Sequence, residues 1–419
     1  MSTESSPPLR ISQKRRRLEA QGITPVERLQ CEFIIKAKNK RCPLTRAKDV
    51  EFCAEHLKQR EGDKRIACPV DPRHTVWERE VKGHVKRCAA KIEAQKDKPW
   101  FKLNHNCNAQ VEGNKDSAGP TELVLEYSKW AEVVNKAHEE FEPLVLEQLH
   151  HDGVQERLEE KQNQKHAIQQ SSLISHLDQN GLLSKDLHYI EWGCGKAELS
   201  RYLLKSVMHK DHAPADFLLI DRSPMRMKQD GKMIKDVEDA GQKNKIFRVR
   251  IDIKDVFVDA IIDQEFNDKK DFVGVSKHLC GAATDLTIQC IERNPELQRR
   301  MGGMIVAMCC RHCCNYDMFP VKGKQFLSER GIDELGFRHL MKFASWAVSG
   351  MRPNMDESDG SDHPSGLTIK ERRELGLRAR RLIDEARKYT MESMGYKVKL
   401  CHYVPLDVSL ENTCMIVTK

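Results

Sequence analysis

His188-Tyr189-Ile190-Glu191-Trp192-Gly193-Cys194-Gly195-Lys196-Ala197-Glu198-Leu199 is the stretch on which the fold turns. A short apolar run ends in an acidic residue, passes through two glycines and enters a helical pattern. Glycines there let the backbone approach a ligand closely at the carboxyl end of a strand. A dinucleotide-binding turn would carry a third glycine, G-x-G-x-x-G. Here Lys196, Ala197 and Glu198 follow Gly195, so that glycine is missing. Further apolar strands are predicted over 217–220, 246–251, 272–276 and 304–308, alternating with helices. That alternation argues for a doubly wound α/β sheet. A long helix over 368–394 and two late strands over 396–404 and 413–418 complete the pattern.

Two later strands repeat the acidic ending of the first: Leu218-Leu219-Ile220-Asp221 and Ile251-Asp252-Ile253. A carboxylate in the second position can accept both ribose hydroxyls of an adenosyl group, as it does for the ribose of NAD. One such Asp alone is a helix N-cap as readily as a ligand. Three acidic strand ends in register predict a site for a nucleotide-like cofactor. The E-x-G-x-G run resembles motif I of the Rossmann-like S-adenosylmethionine-dependent methyltransferases. That resemblance implies that Glu191 orients the amino-acid end of the cofactor and that the Asp252 position holds the adenine amino group. The candidate cofactor-binding residues are Glu191, Gly193, Cys194, Gly195, Asp221, Asp252 and Ile253.

The fourth strand runs into Ser276-Lys277-His278-Leu279-Cys280-Gly281. A Lys and a His beside a glycine turn can position and deprotonate a hydroxyl, and burial brings a Lys pKa down towards a useful range. Lys277 can equally neutralise a phosphate, and His278 can be a structural cap. The fifth strand ends in Cys309-Cys310-Arg311-His312-Cys313-Cys314. Adjacent ligands do not easily surround one ion tetrahedrally, so this run reads as buried thiols plus a substrate-facing His312 rather than a metal site. Lys277, His278 and His312 are the candidate catalytic residues.

Near the start, Cys31, Cys42, Cys53 and His56 are spaced C-x10-C-x10-C-x2-H, and Cys68, His74, His84 and Cys88 are spaced C-x5-H-x9-H-x3-C. Four Cys or His ligands in a stretch too short and polar to build a core are what a structural zinc site takes. His84 and Cys88, one helical turn apart, face a common point. Two zinc-nucleated modules follow, unfolded without metal. The chain has 419 residues and a formal charge of +7, and the basic residues are uneven, with Arg10 and Lys14, Arg15, Arg16 and Arg17 clustered. A basic arm beside small zinc modules points to a polyanion, most often nucleic acid. The same arm reads as a solvated tail or a nuclear-import signal. Fifteen cysteines without a secretory signal read as metal ligands and buried thiols, which predicts cytoplasm or nucleus. No apolar run approaches the roughly 18 residues of a membrane span.

The expected organisation is a disordered basic arm over 1–24, a CCCH-type finger over 25–62, a CHHC-type finger over 63–95 and a linker over 96–120. A helical segment over 121–180 and a methyltransferase domain over 181–419 follow, with an exposed acidic loop over 354–366. Leu123, Tyr127, Trp130, Val134, Ala137 and Phe141 form a packing stripe in the helical segment.

Taken together, the two fingers, E-W-G-C-G-K, L-I-D-R-S, R-I-D-I-K-D, S-K-H-L-C-G-A-A-T-D-L-T, A-M-C-C-R-H-C-C, S-W-A-V (345–348) and R-R-L-I-D-E-A-R (380–387) resemble one family in order and along nearly the whole chain from residue 28. The family is that of eukaryotic tRNA ribose 2′-O-methyltransferases acting on nucleotide 4 of the acceptor stem. The resemblance implies methyl transfer from S-adenosylmethionine to a ribose 2′-hydroxyl, two structural Zn2+ ions and tRNA as partner. The family reads Cys-Cys-His-His-x-Cys at the fifth strand. This chain has Arg311 at the first His and an extra Cys313, which leaves His312 as the better candidate. A methyltransferase for another RNA or a protein, and a non-enzymatic zinc-finger RNA-binding protein, are the alternatives.

Overall fold

A computed structural model describes residues 29–35, 40–42, 44–46, 50–53, 56, 64–69, 75–87, 97–107, 126–160, 164–223, 225, 228–348 and 363–419. The basic arm, His74, Cys88, linker residues 108–120, Leu123 and most of the acidic loop (354–362) lie outside them. The chain divides into one unit over 1–91 and another over 92–419.

The first unit holds two minimal hairpins. Strands β1 (Ile34–Ile35) and β2 (Lys40–Arg41) pair antiparallel, as do β3 (Arg65–Ala67) and β4 (Thr75–Trp77), and helix α1 (Val81–Arg87) follows. Among its described residues the largest apolar cluster is three cysteines, Cys31, Cys42 and Cys53, with Phe33 and Phe52 against them. Such a core is far too small to hold a fold without a metal.

The second unit is built on a seven-stranded sheet. Its strands are β5 (Leu187–Trp192), β6 (Asp216–Asp221), β7 (Ile246–Arg250), β8 (Asp271–Cys280), β9 (Met301–Cys309), β10 (Lys397–His402) and β11 (Thr413–Thr418). The spatial order is β10-β11-β9-β8-β5-β6-β7, with β5 to β9 parallel and the last two antiparallel. From β5 the chain winds one way through β6 and β7, then returns to lay β8 on the other side. The crevice between the carboxyl ends of β5 and β8 is therefore the switch point, where open α/β sheets bind ligands. Alternate residues of β5 feed two cores: Ile190 and Trp192 one, Tyr189 the other. Burial on both faces explains why these strands read as continuous apolar runs.

Helix α2 (Tyr127–His138) buries Tyr127, Trp130, Val134 and Ala137. They pack with α10 (Val321–Ser328), α11 (Glu334–Trp346) and α12 (Ile369–Ser393) in a third core. Gly336 makes the crossing possible, since a Cβ there would lie 2.3 Å from the Trp130 ring. The segment set apart over 121–180 is not separate from the sheet. It breaks into α3 (Gln155–Glu159) and α4 (Gln164–Gln179), and α4 lies against β9 and adds Leu173, Ile174 and Leu177 to the core on that face of the sheet. Linker residues 97–107 are also docked. Asn106 is fully buried and its amide donates to the carbonyls of Ile253 and Val256, each at 2.6 Å. Composition alone could not reveal that anchor. Among the described residues no helix is long and apolar enough to cross a membrane.

A capping box, Thr368 with Glu371, starts α12. Its charged face is then used inside the protein. Arg387 pairs with Asp285, at the start of α8 (Ala282–Arg293), at 2.8 Å with both side chains fully buried. Asp384 pairs with Arg311 at 2.6 Å, Arg311 with Glu411 at 2.6 Å, and Glu411 also with Arg380. Removing one partner of a buried pair leaves an uncompensated charge, at a cost of about 3–5 kcal/mol. Arg387→Ala should lower the unfolding free energy of the sheet unit by that amount in urea titration. A loss below about 1 kcal/mol would show the pair to be dispensable.

Candidate active site and metal centres

The turn after β5 contains three left-handed residues, Gly193 (φ +62), Gly195 (φ +49) and Ala197 (φ +60), before α5 (Glu198–Asp211) begins. A Cβ on Gly193 would press to 3.1 Å of Leu279. The Gly195 N–H donates to Asp221 Oδ2 at 2.7 Å, and the Ser223 N–H donates to Asp221 Oδ1 at 2.6 Å. The Asp221 carboxylate is thus fixed at the end of β6, facing the glycine turn. Cys194 is buried and receives the Arg248 guanidinium at 2.9 Å, and the same Arg248 is held by Asp230, at the start of α6 (Asp230–Glu238).

Glu191 is buried at the end of β5 and accepts from the N–H and hydroxyl of Ser200. Burial pushes its carboxyl up to about 7, against the pull of Ser200, Arg248 and Lys277. Asp252 caps the turn after β7, accepting from Lys254 N–H at 3.1 Å, with Arg222 3.5 Å from its other oxygen; Ile253 beside it is buried. Capping and ligand roles coexist here, because a carboxylate has several lone pairs. Bare glycines at the turn and carboxylates at three strand ends fit a ligand that carries ribose hydroxyls and amino groups. The glycine and acid set could hold S-adenosylmethionine.

On the other side of the crevice β8 is irregular. Ser276 opposes Val306 and Leu279 opposes Met308, so β8 spends one residue more than β9 over this interval. The extra residue is a bulge at Lys277–His278, and bulges re-aim side chains. Ser276 ties it to β5, its hydroxyl donating to the Trp192 carbonyl at 2.8 Å. Lys277 is buried, and desolvation brings its amine down to about 8, with Glu198 and Glu191 holding it from falling further. Its Nζ lies 2.9 Å from Nδ1 of His166, an exposed residue on α4. His278 stands at the rim with its ring centroid 6.1 Å from that of His166. Desolvation, then the charges of Lys277 and His166, keep His278 largely neutral, at about 4. A neutral-capable amine with a second base at its side can accept a proton from a hydroxyl.

Lys277 and His278 are brought together with His166, Glu198 and Arg157, the last two paired at 3.2 Å. His312 lies on the turn that follows β9, and its buried Nδ1 has no hydrogen-bond partner among the described residues. Arg311 is a core residue that joins α12 to the β10–β11 connection through Asp384 and Glu411, which gives a structural reason for Arg at this position. The sequence reading missed His166, Arg157 and Arg248. Glu198 alone carried a signal, at the first turn of the helix that follows the glycines.

In the first unit the Cys31, Cys42, Cys53 and His56 ligand atoms all lie within 4.8 Å of one another. His56 Nδ1 is 3.4 Å from Cys31 Sγ and 3.3 Å from Cys53 Sγ, and Phe33 stacks on its ring at 3.9 Å. Ligands bound tetrahedrally at about 2.0–2.3 Å lie at about this mutual separation, so the set fits zinc. Of the second set, Cys68 Sγ and His84 Nε2 are 3.2 Å apart.

Three family models match the chain: methyltransferase TRM13 over residues 168–418, the CCCH zinc finger in TRM13 protein over 29–57, and the U11-48K-like CHHC zinc finger over 65–89. Similar proteins named tRNA:m(4)X modification enzyme TRM13 occur in several yeasts. That of Debaryomyces hansenii is 39% identical over 97% of this chain and 95% of its own length. That of Yarrowia lipolytica is 37% identical over 93% and 90%, and that of Saccharomyces cerevisiae 33% identical over 94% and 97%. The methyltransferase model implies S-adenosylmethionine as cofactor, and the two finger models imply zinc.

The raised pKa of Glu191 has a stability consequence. Unfolded, the carboxyl titrates near its ordinary value of 4.5; folded, it titrates at about 7. The native state therefore binds the extra proton between those values, and stability falls as pH rises through that window. Glu191→Gln removes the penalty while keeping a group that can accept from Ser200. In thermal unfolding without cofactor, the variant should gain on the natural chain from about pH 5 to about pH 7 and hold a constant lead above. Parallel profiles would mean that Glu191 ionises without cost.

Proposed function

The chain belongs to the TRM13 methyltransferase family, and on that footing we propose that it transfers a methyl group from S-adenosylmethionine to the ribose 2′-hydroxyl of nucleotide 4 in the acceptor stem of tRNA. The observation that carries this reading is the placement of Lys277: a buried amine re-aimed by a bulge, across the switch-point crevice from the glycine turn. Bound S-adenosylmethionine supplies a methyl on a sulfonium centre, which an oxygen nucleophile can take. Glu191, Asp221 and Asp252 would hold its amino-acid, ribose and adenine ends, and Gly193 and Gly195 would leave room for them. Lys277 in its neutral form removes the hydroxyl proton. His166, hydrogen-bonded to it and exposed, passes that proton to water. Positioning alone can supply about 7–11 kcal/mol of the barrier reduction.

The acceptor hydroxyl lies in the wide, shallow minor groove of an A-form stem, which is read by shape, ribose hydroxyls and phosphates. The zinc modules supply basic surface for phosphates, so binding should weaken steeply with salt. We place the protein in the cytoplasm or nucleus, where such a substrate is found.

Labelled S-adenosylmethionine with bulk tRNA, followed by digestion to nucleosides, tests the assignment. Label in 2′-O-methylated nucleosides of the acceptor stem is expected; label on a base, or only on another RNA or a protein, would overturn it. Asp221→Ala should abolish cofactor binding in calorimetry and leave tRNA affinity near normal, and Cys68→Ser should do the reverse. The rate should rise with pH through about 8 as Lys277 loses its proton. Lys277→Arg, which stays charged, should cost about 10²–10⁴ in rate and erase that limb. If the limb survives in the Arg variant, a group other than Lys277 sets it and Lys277 is not the base.

A further inference from the structure

The carboxyl ends of β8 and β9 carry a cluster for which methyl transfer has no use. Cys280 ends β8, Cys309 ends β9 and opposes it directly in the ladder, and Cys310 follows. Their three Sγ atoms lie within 4.8 Å of one another, with Cys280 and Cys309 at 3.3 Å. Successive residues of a strand point to opposite faces, so Cys309 and Cys310 should diverge. They converge because Cys310 takes a left-handed conformation, φ 43 and ψ 42, which residues with a side chain adopt only at a cost. The turn after β8 is shaped for the same meeting. Gly281 sits at φ +53, and a Cβ there would lie 2.5 Å from the Cys313 carbonyl. Arg311, the cation in that turn, is committed to Asp384 and Glu411.

We propose that Cys280, Cys309 and Cys310 bind a third zinc ion. The ligand atoms of Cys31, Cys42, Cys53 and His56, a set that fits zinc, likewise all lie within 4.8 Å of one another. Sulfurs bound tetrahedrally at about 2.3 Å lie about 3.8 Å apart, so shifts well under 1 Å close the site. The thiols lose their protons on binding. Cys280 is exposed, so the fourth position opens to water. A disulfide would use two of these sulfurs and leave the strained third unexplained. An ion here would pin the end of β8, whose bulge carries Lys277 and His278, to the turn that carries His312.

The test reads metal, not methyl transfer, so it stands apart from the assignment above. Zinc per chain is measured by plasma mass spectrometry on the full-length protein purified with zinc and reductant. The result expected is three ions in the natural chain, two in Cys280→Ser and two in Cys310→Ser, with three retained in Cys290→Ala, which alters a buried thiol elsewhere. Alkylation mapped by mass spectrometry gives a reading that needs no variant: Cys280 and Cys310 are protected until a chelator is added. Two ions in the natural chain, three in both serine variants, or free alkylation of Cys280 in the metal-loaded protein would overturn the proposal. So would a Cys280–Cys309 disulfide in protein prepared with zinc and reductant.

Discussion

Keeping the Lys277 amine out of water is the constraint around which the edge of the candidate site is organised. An amine in water stays charged near neutrality and cannot take a proton; desolvation brings this one to about 8. Burial alone would leave an unpaired polar group, so Nζ is bonded to His166, and the Glu198 and Glu191 carboxylates limit the depression. Each of these partners comes from a different element: His166 from α4, Glu198 from the first turn of α5, Glu191 from the end of β5. The bulge in β8 is what lets a strand residue reach them.

The second constraint is mechanical. The site is a strip of strand ends and turns, which would fray without support. Behind it, α12 contributes Arg380, Asp384 and Arg387 to pairs with Glu411, Arg311 and Asp285. These join the start of α8, the turn after β9 and the β10–β11 connection to one helix. Buried pairs are weak sources of net stability against apolar substitutes, but they tolerate only one arrangement of their partners. That argues for Arg311 as a fixer of the turn on which His312 sits, and explains why its charge is spent inside the protein.

The sheet and the three acidic strand ends were legible because period, strand-end chemistry and glycines all pointed the same way. The clustering of Cys31, Cys42, Cys53 and His56 was legible from spacing. What stayed hidden depends on contacts far apart in the chain. His166 sits in a helix whose polar pattern gives no hint that it reaches a Lys 111 positions away. The bulge at Lys277–His278 follows from a register between two strands, which no single strand announces. Residues 97–107 read as linker because the anchoring amide of Asn106 looks like any polar loop residue. The cysteine run at 309–314 read as unsuited to a metal on the ground that adjacent ligands do not easily surround one ion; Cys280, from the adjacent strand, and the left-handed Cys310 answer that objection.

The central claim is that one particular hydroxyl, presented to Lys277, accepts the methyl group. It is tested most directly with a substrate tRNA in which nucleotide 4 alone carries a 2′-deoxyribose. A single missing hydroxyl leaves the phosphates and the stem's shape in place, so binding should stay near normal. No methyl should then be transferred to that RNA, while the all-ribose tRNA is modified. Methyl transfer to the deoxy substrate at an undiminished rate would contradict the account.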